Sequence, residues 1–135
     1  MRKIDTIIVH CTATKDGIDV SAADVDRYHR SLGFSEIGYH YLVRLDGAIE
    51  QGRALNRIGA HCKGKNVNSV GVAYVGGLGV DGKPADTRTE AQRYSLLKLI
   101  MELKREFPLA VVHSHRDFVA KACPCFDATN EYANI

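Results

Sequence analysis

Ser69-Val70-Gly71-Val72-Ala73-Tyr74-Val75 is a run of small and largely apolar residues without a charge, and its reading decides how the rest of the chain is arranged. A segment with no charged face is read as buried on both sides, which places it as a strand in the middle of a sheet covered by other elements. Before it, Ile37 to Gly52 reads as a hairpin, with Asp46-Gly47 supplying the positive φ angles of a two-residue turn between alternating or apolar flanks. Tyr39 and His40 open the first strand of that hairpin and are expected to point to opposite faces, His40 into the packed side. Between hairpin and central strand, Arg53 to Asn68 is irregular and carries Gly59, His61, Cys62, Gly64 and Asn66, as a long ligand-binding surface loop does.

After the central strand, Gly76 to Arg88 is a glycine-rich connection. It lacks both the lysine followed by Ser or Thr of a phosphate-binding loop and the spacing G-x-G-x-x-G, so no phosphate chemistry is assigned to it. Thr89-Glu90-Ala91-Gln92 is a capping box that opens the longest helix. Leu96, Leu97, Ile100, Leu103 and Phe107 form its apolar face, Lys98, Glu102 and Arg105 lie opposite, and Pro108 ends it. Leu109 to Val112 returns as a strand, and Phe126 to Ile135 closes as a short helix. At the other end of the chain, Thr6 to Cys11 is a second buried strand and Thr12 to Asp19 a polar loop. Ser21 caps a helix with Val25, Tyr28 and Leu32 at helical spacing and Gly33 as its stop; Tyr28 and His29 read as structural, one buried and one on the surface. The order strand, helix, hairpin, strand, helix, strand, helix predicts an α/β fold, a single domain over residues 1–135 with a central mixed β-sheet flanked by helices.

A chain of 135 residues buries roughly two thirds of its unfolded surface as one domain and needs no disulfides to fold. Its hydrophobic fraction of 45% and charged fraction of 25% are ordinary, and no run of about 18 apolar residues offers a membrane span. The net charge of +2 is small and the basic residues are dispersed, which argues against a nucleic-acid partner. Asp5 interrupts the basic start and Ile7-Ile8-Val9 is too short for a signal-peptide core, so the chain is expected to be cytoplasmic as synthesised, reaching its target after release or export, and to act as a monomer. Of the four cysteines, Cys123 and Cys125 are poorly placed to pair with each other, and metal ligation or burial is the expected use.

Chemistry concentrates in His113-Ser114-His115-Arg116-Asp117-Phe118-Val119-Ala120-Lys121-Ala122-Cys123-Pro124-Cys125-Phe126-Asp127, a loop that leaves an apolar strand. Catalytic zinc sites keep three protein ligands and one open position, and His10, His115 and Cys123 can meet that need if their strand ends lie side by side. Two neutral imidazoles and a thiolate would leave the metal net positive, able to acidify water and polarise a carbonyl. The spacing matches no C-x-x-C finger, and a histidine beside a strand is more often a hydrogen-bonded core residue, so spacing alone leaves the metal site and the plain core as alternatives.

Taken together, Ile7 to Thr14, Gly38-Tyr39-His40-Tyr41, Gly59-Ala60-His61-Cys62 with Asn68 to Val72, and His115-Arg116-Asp117 with Lys121-Ala122-Cys123-Pro124 resemble the type 2 N-acetylmuramoyl-L-alanine amidases. This is the family of bacteriophage T7 lysozyme and the peptidoglycan recognition proteins, and the likeness covers Ile4 to Asp127 with the motifs in family order. The chain is similar to the T7 lysozyme branch in having a lysine two residues before the cysteine. The resemblance implies a zinc site in a surface cleft, with Zn²⁺ held by His10, His115 and Cys123. It also implies Tyr39 and Lys121 as catalytic residues, and peptidoglycan or muropeptides as substrate, cut between N-acetylmuramic acid and L-alanine. His61 and Asn68 fall in the loop that borders the substrate cleft and are expected to contact substrate. Arg116 and Asp117 are read as an internal ion pair, His113 as a neighbour of His115 lining the site, and Cys11, Cys62 and Cys125 as buried or spare thiols. Two other readings compete: a non-catalytic peptidoglycan-binding module, and a cysteine peptidase using Cys123. Against the first stands the complete set of ligands, and against the second Pro124, which directly follows Cys123.

Overall fold

The computed structural model describes residues 1–135. Along the chain come β1 (Thr6–Cys11), β2 (Thr14–Lys15), α1 (Ala22–Ser31), β3 (Tyr41–Val43), β4 (Ile49–Gln51), β5 (Ser69–Tyr74), β6 (Gly77–Leu78), α2 (Glu90–Glu106), β7 (Val111–Ser114), a 3₁₀ turn (His115–Asp117) and α3 (Ala128–Glu131). Five strands form one mixed sheet in the order β4-β3-β5-β1-β7, in which only the β3–β4 pair is antiparallel. The expected α/β architecture is therefore present, with β5 at its centre. No helix is long and apolar enough to cross a membrane.

Alternation along the strands sorts side chains onto two faces. Ile7, Val9 and Cys11 of β1 and Val70, Val72 and Tyr74 of β5 join Leu96, Leu99, Ile100 and Leu103 of α2, with Phe126 and Tyr132, in the larger core. Leu42 and Ala73 face the other way, to Val25 of α1 and Ile37. His10 belongs to this second face, where apolar cover is thinner.

The helices differ from expectation in which residues they bury. Capping boxes at Ser21 and Thr89 start α1 and α2 as anticipated. In α1 the buried positions are Val25 and His29, while Tyr28 and Leu32 are exposed; in α2 Leu99 is buried and Leu97 is not. Spacing fixes the width of an apolar stripe but not its centre, and the sheet selects the centre. The hairpin is likewise present with a different turn. Arg44 N–H donates to the Ala48 carbonyl (2.8 Å), Gly47 N–H to the Arg44 carbonyl (2.8 Å), and of Asp46 and Gly47 only the glycine has a positive φ, of 87°. The connection is a three-residue loop with a bulge at glycine, not a two-residue turn. β7 runs two residues later than expected, because Ala110 N–H still closes onto the Phe107 carbonyl after the helix. The polar loop after β1 and the glycine-rich connection after β5 contain β2 and β6, which pair with each other as a small second sheet.

Gln92 ties α2 to the sheet. Its side chain is fully buried, accepts from Thr89 N–H (2.9 Å), and donates to the carbonyls of Val43 (3.2 Å) and Val75 (2.9 Å). Gln92→Leu strands these groups and is expected to cost about 3 kcal/mol, at roughly 1–3 kcal/mol per unsatisfied buried group. Urea unfolding checks this as a lower midpoint with an unchanged slope.

His40 is fully buried between Gly71 N–H, which donates to its Nδ1 (3.0 Å), and the Arg57 carbonyl, which accepts from its Nε2 (2.9 Å). Burial pushes it down from 6.5 to about 4. Between those values the unfolded chain binds a proton that the folded chain does not, so this contribution is complete above about pH 6.5 and is lost as pH falls toward 4. Thermal unfolding should show a midpoint that declines across that window; a midpoint flat down to about pH 4 would contradict a neutral buried ring.

Candidate metal centre

β1 lies between β5 and β7, and Val9 stands opposite Ser114, so the residues that follow, His10 in β1 and His115 at the start of the 3₁₀ turn, lie side by side at the carboxyl ends with ring centroids 4.3 Å apart. α1 follows β1 on one face of the sheet and α2 follows β5 on the other. Chains that part in this way leave a crevice at the carboxyl edge, where open α/β sheets bind ligands. The loop after β7 brings a third group to the same edge. It is closed by Arg116 N–H donating to the Cys123 carbonyl (2.8 Å) and held to β5 by the Tyr74 hydroxyl donating to the Pro124 carbonyl (2.6 Å). Cys123 Sγ accepts from Cys11 N–H at 3.2 Å. One donor atom each from His10, His115 and Cys123 lies within 4.8 Å of the others, near the span of two metal–ligand bonds of about 2.0–2.3 Å each.

Protonation suits the donors to a metal. Burial holds His10 well below its ordinary value, with His61 and His115 adding to the effect, and burial together with Lys121 lowers His115. Both imidazoles are therefore neutral at pH 7, the form that coordinates. Hydrogen bonding from Cys11 lowers the Cys123 thiol against the opposing effect of burial, and Cys11 is correspondingly pushed up. His115 Nδ1 is buried without a hydrogen-bond partner. Leaving such an atom unpaired costs about 1–3 kcal/mol, and a metal ion would relieve that cost. Two imidazoles and a thiolate are a donor set that fits zinc.

Tyr39 lies beside His10 with ring centroids 5.1 Å apart and planes tilted by 46°, and burial raises its phenol so that the hydroxyl keeps its proton. Its backbone is held on both sides, where Gly38 N–H donates to His29 Nδ1 (2.8 Å) and Arg53 N–H to the Tyr39 carbonyl (2.9 Å). Lys121 is exposed on the loop, and its charge acts on His10, His115 and Cys123. Beyond Tyr39 opens a cleft of about 370 Å³, lined among others by Thr12, Thr14, Val20, Tyr28 and His29. Apart from glycines, only Ala13 (φ 55°) and Cys125 (φ 69°) adopt left-handed backbone, and both flank the cluster. Strain at such positions persists where the surroundings enforce it, as they do around sites.

Other residues lie elsewhere than the sequence suggested. His61 does not face the cleft. Its Nδ1 is 2.8 Å from His10 Nε2 and its Nε2 is 3.2 Å from Ser69 Oγ. Asn68 is exposed just before β5, beside Asp5, at the opposite end of the strands from His10. His113 turns from the cluster to Asp117 (3.0 Å) and Phe118, because His115 has left the strand and no longer shares its alternation. Asp117 therefore pairs with His113 and accepts from Ser114 N–H (3.3 Å) and the Thr129 hydroxyl, so the expected Arg116–Asp117 pair is replaced. His40 is buried as expected, but its ring lies 5.9 Å from that of His61, since Tyr39 and His40 precede β3 and escape its alternation. The groove residues Thr12, Thr14 and Val20 and the contact of Cys11 with Cys123 carry no local sequence signal, because both arise only from chain segments meeting in space.

A family model for N-acetylmuramoyl-L-alanine amidase matches residues 1–126. The endolysin of Klebsiella phage KP32 is 43% identical over 121 residues, covering 90% of this chain and 80% of the relative. The endolysin of Escherichia phage T7 is 40% identical over 123 residues, covering 91% and 82%. Among solved structures, the N-acetylmuramoyl-L-alanine amidase LysC from Clostridium intestinale URNW superposes with a TM-score of 0.83 at 28% identity, covering 96% of this chain and 82% of that one.

The thiols provide a direct check on the electrostatics. Cys123 is lowered, whereas Cys11 and Cys62 are raised and Cys125 is pushed up to about 11. In metal-free protein at neutral pH, iodoacetamide is expected to label Cys123 first, as peptide mapping by mass spectrometry would read. Prior labelling of Cys11 or Cys62 would contradict the assignment.

Proposed function

The chain belongs to the N-acetylmuramoyl-L-alanine amidase family, and from that premise we propose that it is a single zinc amidase domain. In this reading His10, His115 and Cys123 hold the metal, and the bond cut joins the lactyl group of N-acetylmuramic acid to the L-alanine of the stem peptide. The convergence of those three donors at one sheet edge carries the reading. The relatives that support it are endolysins, and the substrate inferred for this chain is peptidoglycan or its muropeptides.

Bound zinc would supply an acidified water and a Lewis acid for the amide carbonyl. The chain's own groups do the rest. Tyr39 keeps its proton and sits against His10, so its hydroxyl donates a hydrogen bond to the carbonyl oxygen as charge develops there. Lys121, at the open rim, adds a mobile positive charge to the same oxygen. The cleft beyond Tyr39 receives the stem peptide, with Thr12 and Thr14 offering hydroxyls and Val20 and Tyr28 apolar surface. Cleavage takes place at the cell wall, after release or export.

Purified protein is expected to carry one zinc per chain by elemental analysis. Cys123→Ala should abolish both zinc and muropeptide cleavage. Tyr39→Phe should keep zinc and lose about 10²- to 10³-fold in kcat, the usual worth of one oxyanion donor. Inhibition by a chelator that zinc reverses supports the metal route. Insensitivity to chelator with loss on alkylation would support a cysteine peptidase instead. Mass spectrometry of products from defined muropeptides identifies the bond.

A further inference from the structure

Resting on the metal-centre reading, we propose that His61 is a positioning residue which, with Ser69, fixes the orientation and tautomer of His10. The observation is a chain of three side chains, with His10 Nε2 at 2.8 Å from His61 Nδ1 and His61 Nε2 at 3.2 Å from Ser69 Oγ. Two ring nitrogens 2.8 Å apart share a single hydrogen, so one ring donates and the other accepts. With His10 donating to His61 and His61 donating to Ser69, every nitrogen along the chain is used once, and His10 is left with Nδ1 as its only free lone pair. That nitrogen is the one available to a metal. A ligating histidine characteristically donates its other N–H to a partner that orients the ring.

The protein makes room for this arrangement. A Cβ on Gly71 would fall 2.6 Å from Cγ and Cδ2 of His61, and one on Gly59 would fall 2.7 Å from Cδ2, so both glycines clear space for the ring. Asn66 Oδ1 accepts from the backbone N–H of His61 (2.9 Å) and of Cys62 (3.0 Å), which turns the loop so that the ring points inward. Ser69 is fully buried at the start of the central strand and cannot drift. A substrate contact would need a free polar atom, and His61 has none: both ring nitrogens are engaged inside the protein.

The test compares His61→Ala, His61→Asn and Ser69→Ala by zinc affinity, measured by competition with a chromophoric chelator. Ring ¹⁵N shifts of His10 in the metal-free proteins provide a readout independent of activity. His61→Ala is expected to weaken zinc about 10- to 100-fold and to turn His10 from one tautomer into a mixture. His61→Asn places an amide oxygen near the former Nδ1 and is expected to recover most of the affinity; Ser69→Ala should cause a smaller loss of the same kind. Unchanged zinc affinity in His61→Ala, with a raised KM for muropeptide, would overturn the inference and restore His61 as a substrate contact. Wild-type protein that binds no zinc would overturn the metal centre itself, a result distinguishable from the first because it appears before any substitution.

Discussion

The parallel pairing of β1 between β5 and β7 is the constraint on which the rest depends. Because side chains alternate, Ile7, Val9 and Cys11 enter the core under α2 while His10 faces the other way. A slip of one residue would put an imidazole into that core and Val9 or Cys11 at the site, so the burial that fixes the register also fixes the chemistry. The pairing of Val9 with Ser114 then sets His115 next to His10 from the far end of the chain. Stability and function share one set of hydrogen bonds here, and neither can drift without the other.

The surroundings of the cluster also decide its charge. Burial alone would drive His10 and His115 to the neutral form and raise the Cys123 thiol. The hydrogen bonds from Cys11 reverse the effect at the thiol only. Three groups in one environment are thus pushed apart, two imidazoles toward the neutral form and one thiol toward the thiolate. Tyr39 is pushed in the direction of keeping its proton, which makes it a donor and unsuits it as a base.

Much of this was legible in the sequence. The charge-free run Ser69–Val75 placed the central strand, the boxes at Ser21 and Thr89 placed both helix starts, and two strand-end histidines with a nearby cysteine suggested a ligand set. What stayed hidden depends on distance in space. β2 and β6 are short, and each is recognisable only beside the other. The buried stripe of α1 moved to Val25 and His29 because the sheet, not the spacing, selects a helix face. Cys11 and Cys123 meet through a loop whose path is set by Tyr74 and Arg116. His61 looked like a surface residue because its loop is polar and rich in glycine, and the same composition serves equally to seat a buried ring.

That loop, Arg53 to Asn68, sharpens what a polar cover achieves. Apolar side chains would close the sheet at lower desolvation cost, since every buried imidazole needs its nitrogens satisfied. Here His40 takes a hydrogen bond from Gly71 N–H and faces the Arg57 carbonyl, while His61 joins His10 to Ser69. Hydrogen bonds are directional where apolar contacts are not, so these rings hold the loop and His10 in one relative arrangement. A ligand that must meet a metal within a few tenths of an ångström gains from that restriction. His61 of that loop is committed to His10 and Ser69, and the open cleft is lined instead by Tyr39, the segment after β1 and residues of α1.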